Sequence, residues 1–470
     1  MFTHRSASKV KAHISSTIQA HLIRGAFWVL LLLGASVVLI VLSPQSATAQ
    51  SCIGWSAGPD LPSTAVRMVG VYFPANGKFY AVGGRSMDGV GNDFAHPFEY
   101  DPGANTWTIK SVTFPDNQVS NMACGVLTDS GTDYIYCVGG SAGGQTTATA
   151  RVFRYNPVID SIENISSPWP GDADGITLPG GFTVLNNKFY ILGGFRINTA
   201  MTDTIWEFTP GTNTWVLKKA VLPVSRGYIP TVAVYDFKVG TYLIYTGGGS
   251  DWDGTTLVDT NDSFRYDPAA DSITTIASIP RATAETRAVL WEFPKLPQEM
   301  LVMGGGRTPP NPSNEVDLYL PFGNGWSTYD HFITARRNFA TDSNGGCGSS
   351  SGRIWLVGGY ASDSTPLSSM EIYCQPCFQG TPTATPAETR TPTPTATVAF
   401  SGTPTPTATS TVSATPTTTV PPSPTSTVTP GVTPTPSDFG GTPTSTPTAT
   451  ATSARFTPIP RLHPSPAPRP

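Results

Sequence analysis

Six polar residues stand at comparable places along the chain and share one chemistry. Arg67, Arg226, Arg287 and Arg337 lie where apolar runs begin, Arg336 sits beside the last, and Asn121 occupies the corresponding place of another run. A guanidinium presents a planar fork of N–H donors that matches a carboxylate. Such residues converging on one opening would hold a carboxylate or another polar, sugar-like ligand. Buried arginines also commonly serve the fold, by bonding carbonyls and tying neighbouring loops together.

Other reactive residues do not assemble into a site. Asp251, Asp253, Asp259 and Asp262 crowd one stretch, but the remaining ligand spacing of a calcium loop is missing. The reading there is a solvated acidic loop. His96 and His331 are far apart in sequence, with no motif that sets a tyrosine beside either for a copper site. Cys374-Gln375-Pro376-Cys377 has no second pair and no nearby His to complete a zinc site. No nucleophile, base and orienting group can be grouped by motif, so no cofactor is expected and binding is favoured over catalysis. Asn164-Ile165-Ser166 and Asn261-Asp262-Ser263 match the glycosylation sequon, a short pattern that also arises by chance.

The elements that must position these residues are written in the rest of the chain. Its 470 residues carry a net charge of −4 and only 13% charged side chains, which argues against a nucleic-acid partner. Residues 1–50 read as an export signal: a basic leader with His4, Arg5, Lys9, Lys11 and Arg24, an apolar run at 26–42, and the small-x-small pair Ala47 and Ala49. An uncleaved membrane anchor is the alternative. From residue 379 to the end the chain is almost wholly Thr, Pro, Ala and Ser, with nothing to bury, so a disordered, polyproline-biased stalk is expected.

Between those ends the sequence repeats. KFYAVGG at 78–84 returns as KFYILGG at 188–194. Glycine doublets end apolar runs at Gly83-Gly84, Gly139-Gly140, Gly193-Gly194, Gly247-Gly248, Gly304-Gly305 and Gly358-Gly359, at spacings of 56, 54, 54, 57 and 54 residues. Each doublet precedes an aromatic, and Trp or Ile stands seven residues after it: Tyr100 and Trp107, Tyr155 and Ile162, Phe208 and Trp215, Tyr266 and Ile273, Tyr319 and Trp326. Turn-forming strings such as DPGANT and DPAADS lie between. Each unit therefore reads as a four-stranded antiparallel meander. The sixth lacks its last strand, and residues 52–62 with Trp55 supply one from the other end. The expectation is an all-β ring of six sheets over 51–378, closed by the N-terminal strand.

The doublet followed by Tyr and Trp at set spacing resembles the kelch repeat, and the resemblance covers the whole folded part. It implies a six-bladed β-propeller in which the glycines and aromatics are structural. Within that scheme Cys124 and Cys137 face each other across a hairpin, so a cross-strand disulfide is expected. Cys52–Cys374 would fasten the ring and Cys347–Cys377 would form a third bond, although spacing alone does not fix connectivity. The long connections 85–97, 195–203 and 249–262 fall on one face, where the arginines and Asn121 should ring the channel mouth.

Fold alone does not choose a function. The first expectation is an exported, monomeric, non-enzymatic module that binds an extracellular protein or glycan at the cell surface. Some exported kelch propellers isomerise sialic-acid-type sugars, so the resemblance also implies a mutarotase-type isomerase of an acidic sugar. A structural surface component is the third reading.

Overall fold

A computed structural model describes residues 53–293, 297–346 and 351–376. The expected export signal, the expected Thr/Pro stalk and Cys52, Cys347 and Cys377 lie outside the described residues. Among the described residues no helix is long and apolar enough to cross a membrane.

Six four-stranded antiparallel sheets follow one another along the chain. The first is made of Val69–Phe73, Lys78–Val82, Phe98–Asp101 and Thr106–Ile109, hydrogen-bonded in chain order. The sixth contains Ala340–Ser343, Ser351–Val357 and Met370–Pro376, and its outer strand is Gly54–Ala57 from the other end of the chain. Gly54 is paired with Cys374 and Trp55 with Tyr373, so the ring is closed by the N-terminal strand. The first strands of successive blades touch one another and surround the axis. Closure leaves no long sheet edge free for mispairing.

The repeated aromatics are cross-strand neighbours in all six blades. Tyr100 pairs with Trp107, Tyr155 with Ile162, Phe208 with Trp215, Tyr266 with Ile273, Tyr319 with Trp326, and Tyr373 with Trp55. They fill the seams between blades. A second-strand tyrosine of one blade meets the third-strand aromatic of the next at Tyr80–Tyr155 (6.0 Å), Tyr136–Phe208 (5.8 Å), Tyr190–Tyr266 (6.3 Å) and Tyr245–Tyr319 (5.5 Å). Offset and edge-on contacts at such distances add to the apolar burial.

Each tryptophan also ties its blade to the one before. The indole Nε1 donates to a carbonyl just past the preceding outer strand: Trp107 to Pro59 (2.9 Å), Trp215 to Ser167 (3.1 Å), Trp326 to Ala277 (2.7 Å) and Trp55 to Asp330 (2.8 Å). Where isoleucine replaces tryptophan, a carboxylate in the adjoining turn does this work. Asp160 accepts from the Ser111 N–H and hydroxyl and from the Val112 N–H, and Asp271 accepts from the Lys219 and Ala220 N–H groups.

Blades one and three also share a charge knot. Lys78, Lys110 and Tyr80 all donate to Glu99, while Lys188, Lys218 and Tyr190 donate to Glu207. That is why KFY recurs two blades apart. In blades two and four the middle position carries arginine instead, with Arg154 paired to Asp129 and Arg265 to Asp236.

The doublets press the backbone against the next blade. A Cβ on Gly83 would lie 2.2 Å from the Val119 carbonyl oxygen, and Gly84 donates to that same carbonyl at 2.8 Å. Both residues adopt the left-handed φ that favours glycine. In the fourth blade the left-handed pair is Gly248 and Gly249, one residue later than expected. Cys124 and Cys137 face each other across the second blade's hairpin and form a disulfide. Cys374 is disulfide-bonded too, with a partner outside the described residues.

Candidate functional site at the channel mouth

The innermost strand of five blades is entered through a residue in the left-handed conformation: Arg67, Asn121, Tyr228, Glu285 and Asn338, with φ of 60°, 59°, 48°, 51° and 53°. This turns their amides around the ring. Asn338 N–H donates to the Glu285 carbonyl, Arg67 N–H to that of Asn338, and Asn121 N–H to that of Arg67, at 2.6, 2.8 and 3.1 Å. Residues one or two places after the glycine doublets form a second layer. Arg85, Ser141, Ser250 and Tyr360 bridge to the entry segments of their own blades.

Together these layers line a cavity of about 460 Å³ at the mouth. Its lining holds two groups: the charged residues Arg67, Arg85, Arg307 and Asp88, and Phe195, Tyr228, Trp252 and Leu257, which pack together. Phe195 lies 5.8 Å from Tyr228 and 5.7 Å from Trp252, ring to ring. Asp88 pairs with Arg85 at 2.7 Å and with Arg67 at 3.5 Å. Below the mouth, buried Glu285 receives Arg307, Arg337 and Asn338. Burial pushes its carboxyl up, but Arg307, Arg337 and Arg67 outweigh that and hold it below the usual range. Burial pushes the Tyr228 phenol up to about 12, so it stays a neutral donor.

The structure separates the residues that the sequence grouped. Arg67 and Asn121 line the mouth. Arg287 lies deeper, along the channel wall. Arg226, Arg336 and Arg337 do not line the mouth cavity and are engaged elsewhere. Arg226 joins Asp262 and Asp251 and donates to the Ser225 carbonyl. Arg336 is fully buried and donates to the Gly358 and Ser369 carbonyls and to Glu371. Arg337 pairs with Glu285 and stacks over Tyr360. The reason is register. The ring position in blades four, five and six belongs to Tyr228, Glu285 and Asn338, and each arginine sits one or two residues away from it.

Two of the expected loops are built structure. Residues 195–203 are largely the ends of Lys188–Arg196 and Ala200–Thr209, and 249–262 forms a hairpin of Gly249–Trp252 with Leu257–Thr260. The acidic stretch is not simply solvated. Asp253 caps its own turn, whereas buried Asp259 accepts from the Arg307 and Thr308 N–H groups. His96 Nδ1 contacts the Val112 carbonyl at 2.9 Å. Arg85 and Arg307 were missed, yet Arg85 directly follows a glycine doublet and Arg307 stands one residue further on, and that position is the sequence signal for the mouth.

No family model matches the sequence. Among curated proteins, Kelch repeat and BTB domain-containing protein 1 of cowpox virus (strain GRI-90 / Grishak) is 25% identical over 242 residues, covering 51% of this chain and 38% of that protein. Kelch-like protein 35 of Mus musculus is 30% identical over 159 residues, 34% of this chain and 24% of that one. The chain thus spans well under half the length of these relatives. A solved structure titled "Structure of YjhT" aligns with a TM-score of 0.49 at 15% identity, covering 67% of this chain and 95% of that one. The phased doublets, the Tyr/Trp register and the closed ring of six sheets, together with relatives named for the same repeat, identify the chain as a kelch-repeat β-propeller.

Proposed function

We propose that this chain is a non-enzymatic binding module that works outside the cell and takes an acidic group of a surface protein or glycan at the channel mouth. The single observation behind this reading is the mixed lining of the mouth cavity, where Arg67, Arg85 and Arg307 share one space with Phe195, Tyr228 and Trp252. Guanidiniums suit a carboxylate, and aromatic faces suit the apolar face of a sugar ring or side chain. The kelch fold itself suggests a protein-interaction module. The basic leader, the apolar run and the Cys124–Cys137 disulfide support export.

The test uses the full chain against acidic and neutral oligosaccharides and acidic peptides, followed by ligand-observed NMR. Selective broadening of acidic ligands, abolished by Arg85→Ala and by Trp252→Ala, is the expected result. Faster anomer exchange in any sugar would replace this reading with an isomerase. Uniform silence across the panel would sink the acidic-ligand reading.

A further inference from the structure

The channel continues below the mouth, and its inner part holds a cation that the fold does not use. Arg287 lies where a narrow section of about 60 Å³ meets a wider chamber of about 540 Å³. All six innermost strands line that chamber, through residues such as Gly70, Gly125, Thr183, Thr231, Val289 and Asp342. The guanidinium carbon stands 3.6 Å from the centre of the Phe182 ring, which fixes its plane. Its Nε and Nη1 are buried and have no hydrogen-bond partner among the described residues. Every other arginine of the predicted set is held by a carbonyl, hydroxyl or carboxylate.

An unpaired buried cation is costly, and the strain shows in its proton affinity. Burial pulls the Arg287 guanidinium down to about 10, against the single opposing field of Asp342. Asp342 belongs to the next blade. Its Oδ2 accepts from the Tyr72 N–H at 2.7 Å and its Oδ1 from the Ser343 N–H at 2.9 Å. Each oxygen keeps a lone pair for a further donor. Thr231 and Ser343 give their hydroxyl protons to the Ile229 and Leu290 carbonyls, while the Thr183 hydroxyl accepts from the Ala233 N–H. The Thr183 hydroxyl therefore keeps its proton to donate, and Thr231 and Ser343 keep acceptor capacity.

We propose that the inner chamber is a second binding site, separate from the mouth, in which Arg287 holds the carboxylate of a small polyhydroxylated acid of the uronic-acid class. The carboxylate meets Arg287 where it lines the chamber and supplies the counter-charge that the fold omits. The ligand's hydroxyls donate to Asp342, Thr231 and Ser343 and accept from Thr183. A neutral sugar of the same size lacks the group that Arg287 needs.

The test is calorimetric titration of the full chain with sodium D-glucuronate and, in parallel, D-glucose. Glucuronate is expected to bind at the inner chamber as well as at the mouth, up to two per chain, and glucose not measurably. Arg287→Gln should weaken glucuronate at the inner chamber by about tenfold or more, as removal of a charged hydrogen-bond donor does, whereas Trp252→Ala should remove only the mouth component. Phenylglyoxal labelling of the wild-type protein needs no variant: glucuronate should shield Arg287 in peptide maps, whether or not Arg85 at the mouth is shielded as well. Absent binding, equal affinity in a folded Arg287→Gln protein, or shielding of Arg85 in place of Arg287 would each overturn the proposal. The last outcome would still support the mouth reading, and loss of mouth binding alone would leave this one standing.

Discussion

Phe208 occupies the position where four other blades place a tyrosine over the turn, and Asn213 Oδ1, the acceptor that such a tyrosine would meet, has no partner. In those blades the phenol donates five residues ahead: Tyr100 to Asn105 at 2.6 Å, Tyr155 to Asp160 at 3.0 Å, Tyr266 to Asp271 at 2.9 Å and Tyr319 to Asn324 at 2.8 Å. The acceptor is held in each case by a left-handed turn residue, and Asn213 is left-handed as well. Phe208→Tyr should therefore complete a bond that is already framed. The expected gain is about 1 kcal/mol, read as a higher midpoint in denaturant unfolding.

The carboxylate ties should be sensitive to acid. Burial pushes the Asp160 carboxyl up, but hydrogen bonds from Ser111 and Tyr155 outweigh it, so its pKa is lowered. A lowered carboxylate stabilises the fold above its unfolded value, and that contribution fades as pH falls through the folded one. Asp160→Ala should cost about 1–2 kcal/mol at pH 7. The difference between variant and wild type should shrink towards pH 3, measured by unfolding at each pH.

Glu285 is the anion on which the mouth rests. Replacing it by Gln leaves Arg307 and Arg337 facing each other with no counter-charge beneath. Breaking a buried pair in this way costs about 3–5 kcal/mol. Glu285→Gln should be strongly destabilised at neutral pH, as measured by equilibrium unfolding. Because its pKa is held low, wild-type stability from this group is also lost as pH falls.

Asp342 should behave in the opposite sense. Burial raises it to about 6, with the Tyr72 and Ser343 N–H groups and Arg287 opposing. Its folded value exceeds the unfolded one, so the folded state takes up the proton first. Through this group alone, stability rises as pH falls from above 6 towards the ordinary aspartate range. Carboxyl-detected NMR titration should give a midpoint near that value. Arg287→Gln removes an opposing charge and should move the midpoint further up.

Fold was far more legible than site, and the reason lies in what each requires. The doublets, Tyr100 with Trp107 and their counterparts carry the same constraint in every blade, so the sequence writes it repeatedly. Residues at the mouth differ from blade to blade because they face an open cavity and not a common neighbour. Arg67 lies on the ring, but Arg226 falls two residues before Tyr228 and Arg287 two after Glu285. Each residue along the segment moves the side chain by about 3.3 Å, so grouping by approximate position put Arg336, wholly buried, beside Arg67, which lines the cavity. Likewise, isoleucine at 162 and 273 reads as degeneracy in the sequence, and only the three-dimensional neighbours show Asp160 and Asp271 taking over the tie.

The two kinds of tie give each seam an address. Seams between blades one and two and between three and four are closed by a carboxylate, and the other four by an indole. Excising blade two would set Trp215 against the exit at Ser111 and Val112, whose N–H groups are built to meet an acceptor. Excising blades two and three together would bring Asp271 to that exit, like replacing like. Blades one to four thus alternate, whereas the seams from blade four round to blade one are all of the indole kind. Loss of blade two alone would leave unlike partners at a seam, but loss of blade five would set Trp55 against the Ala277 carbonyl that Trp326 now meets, like replacing like.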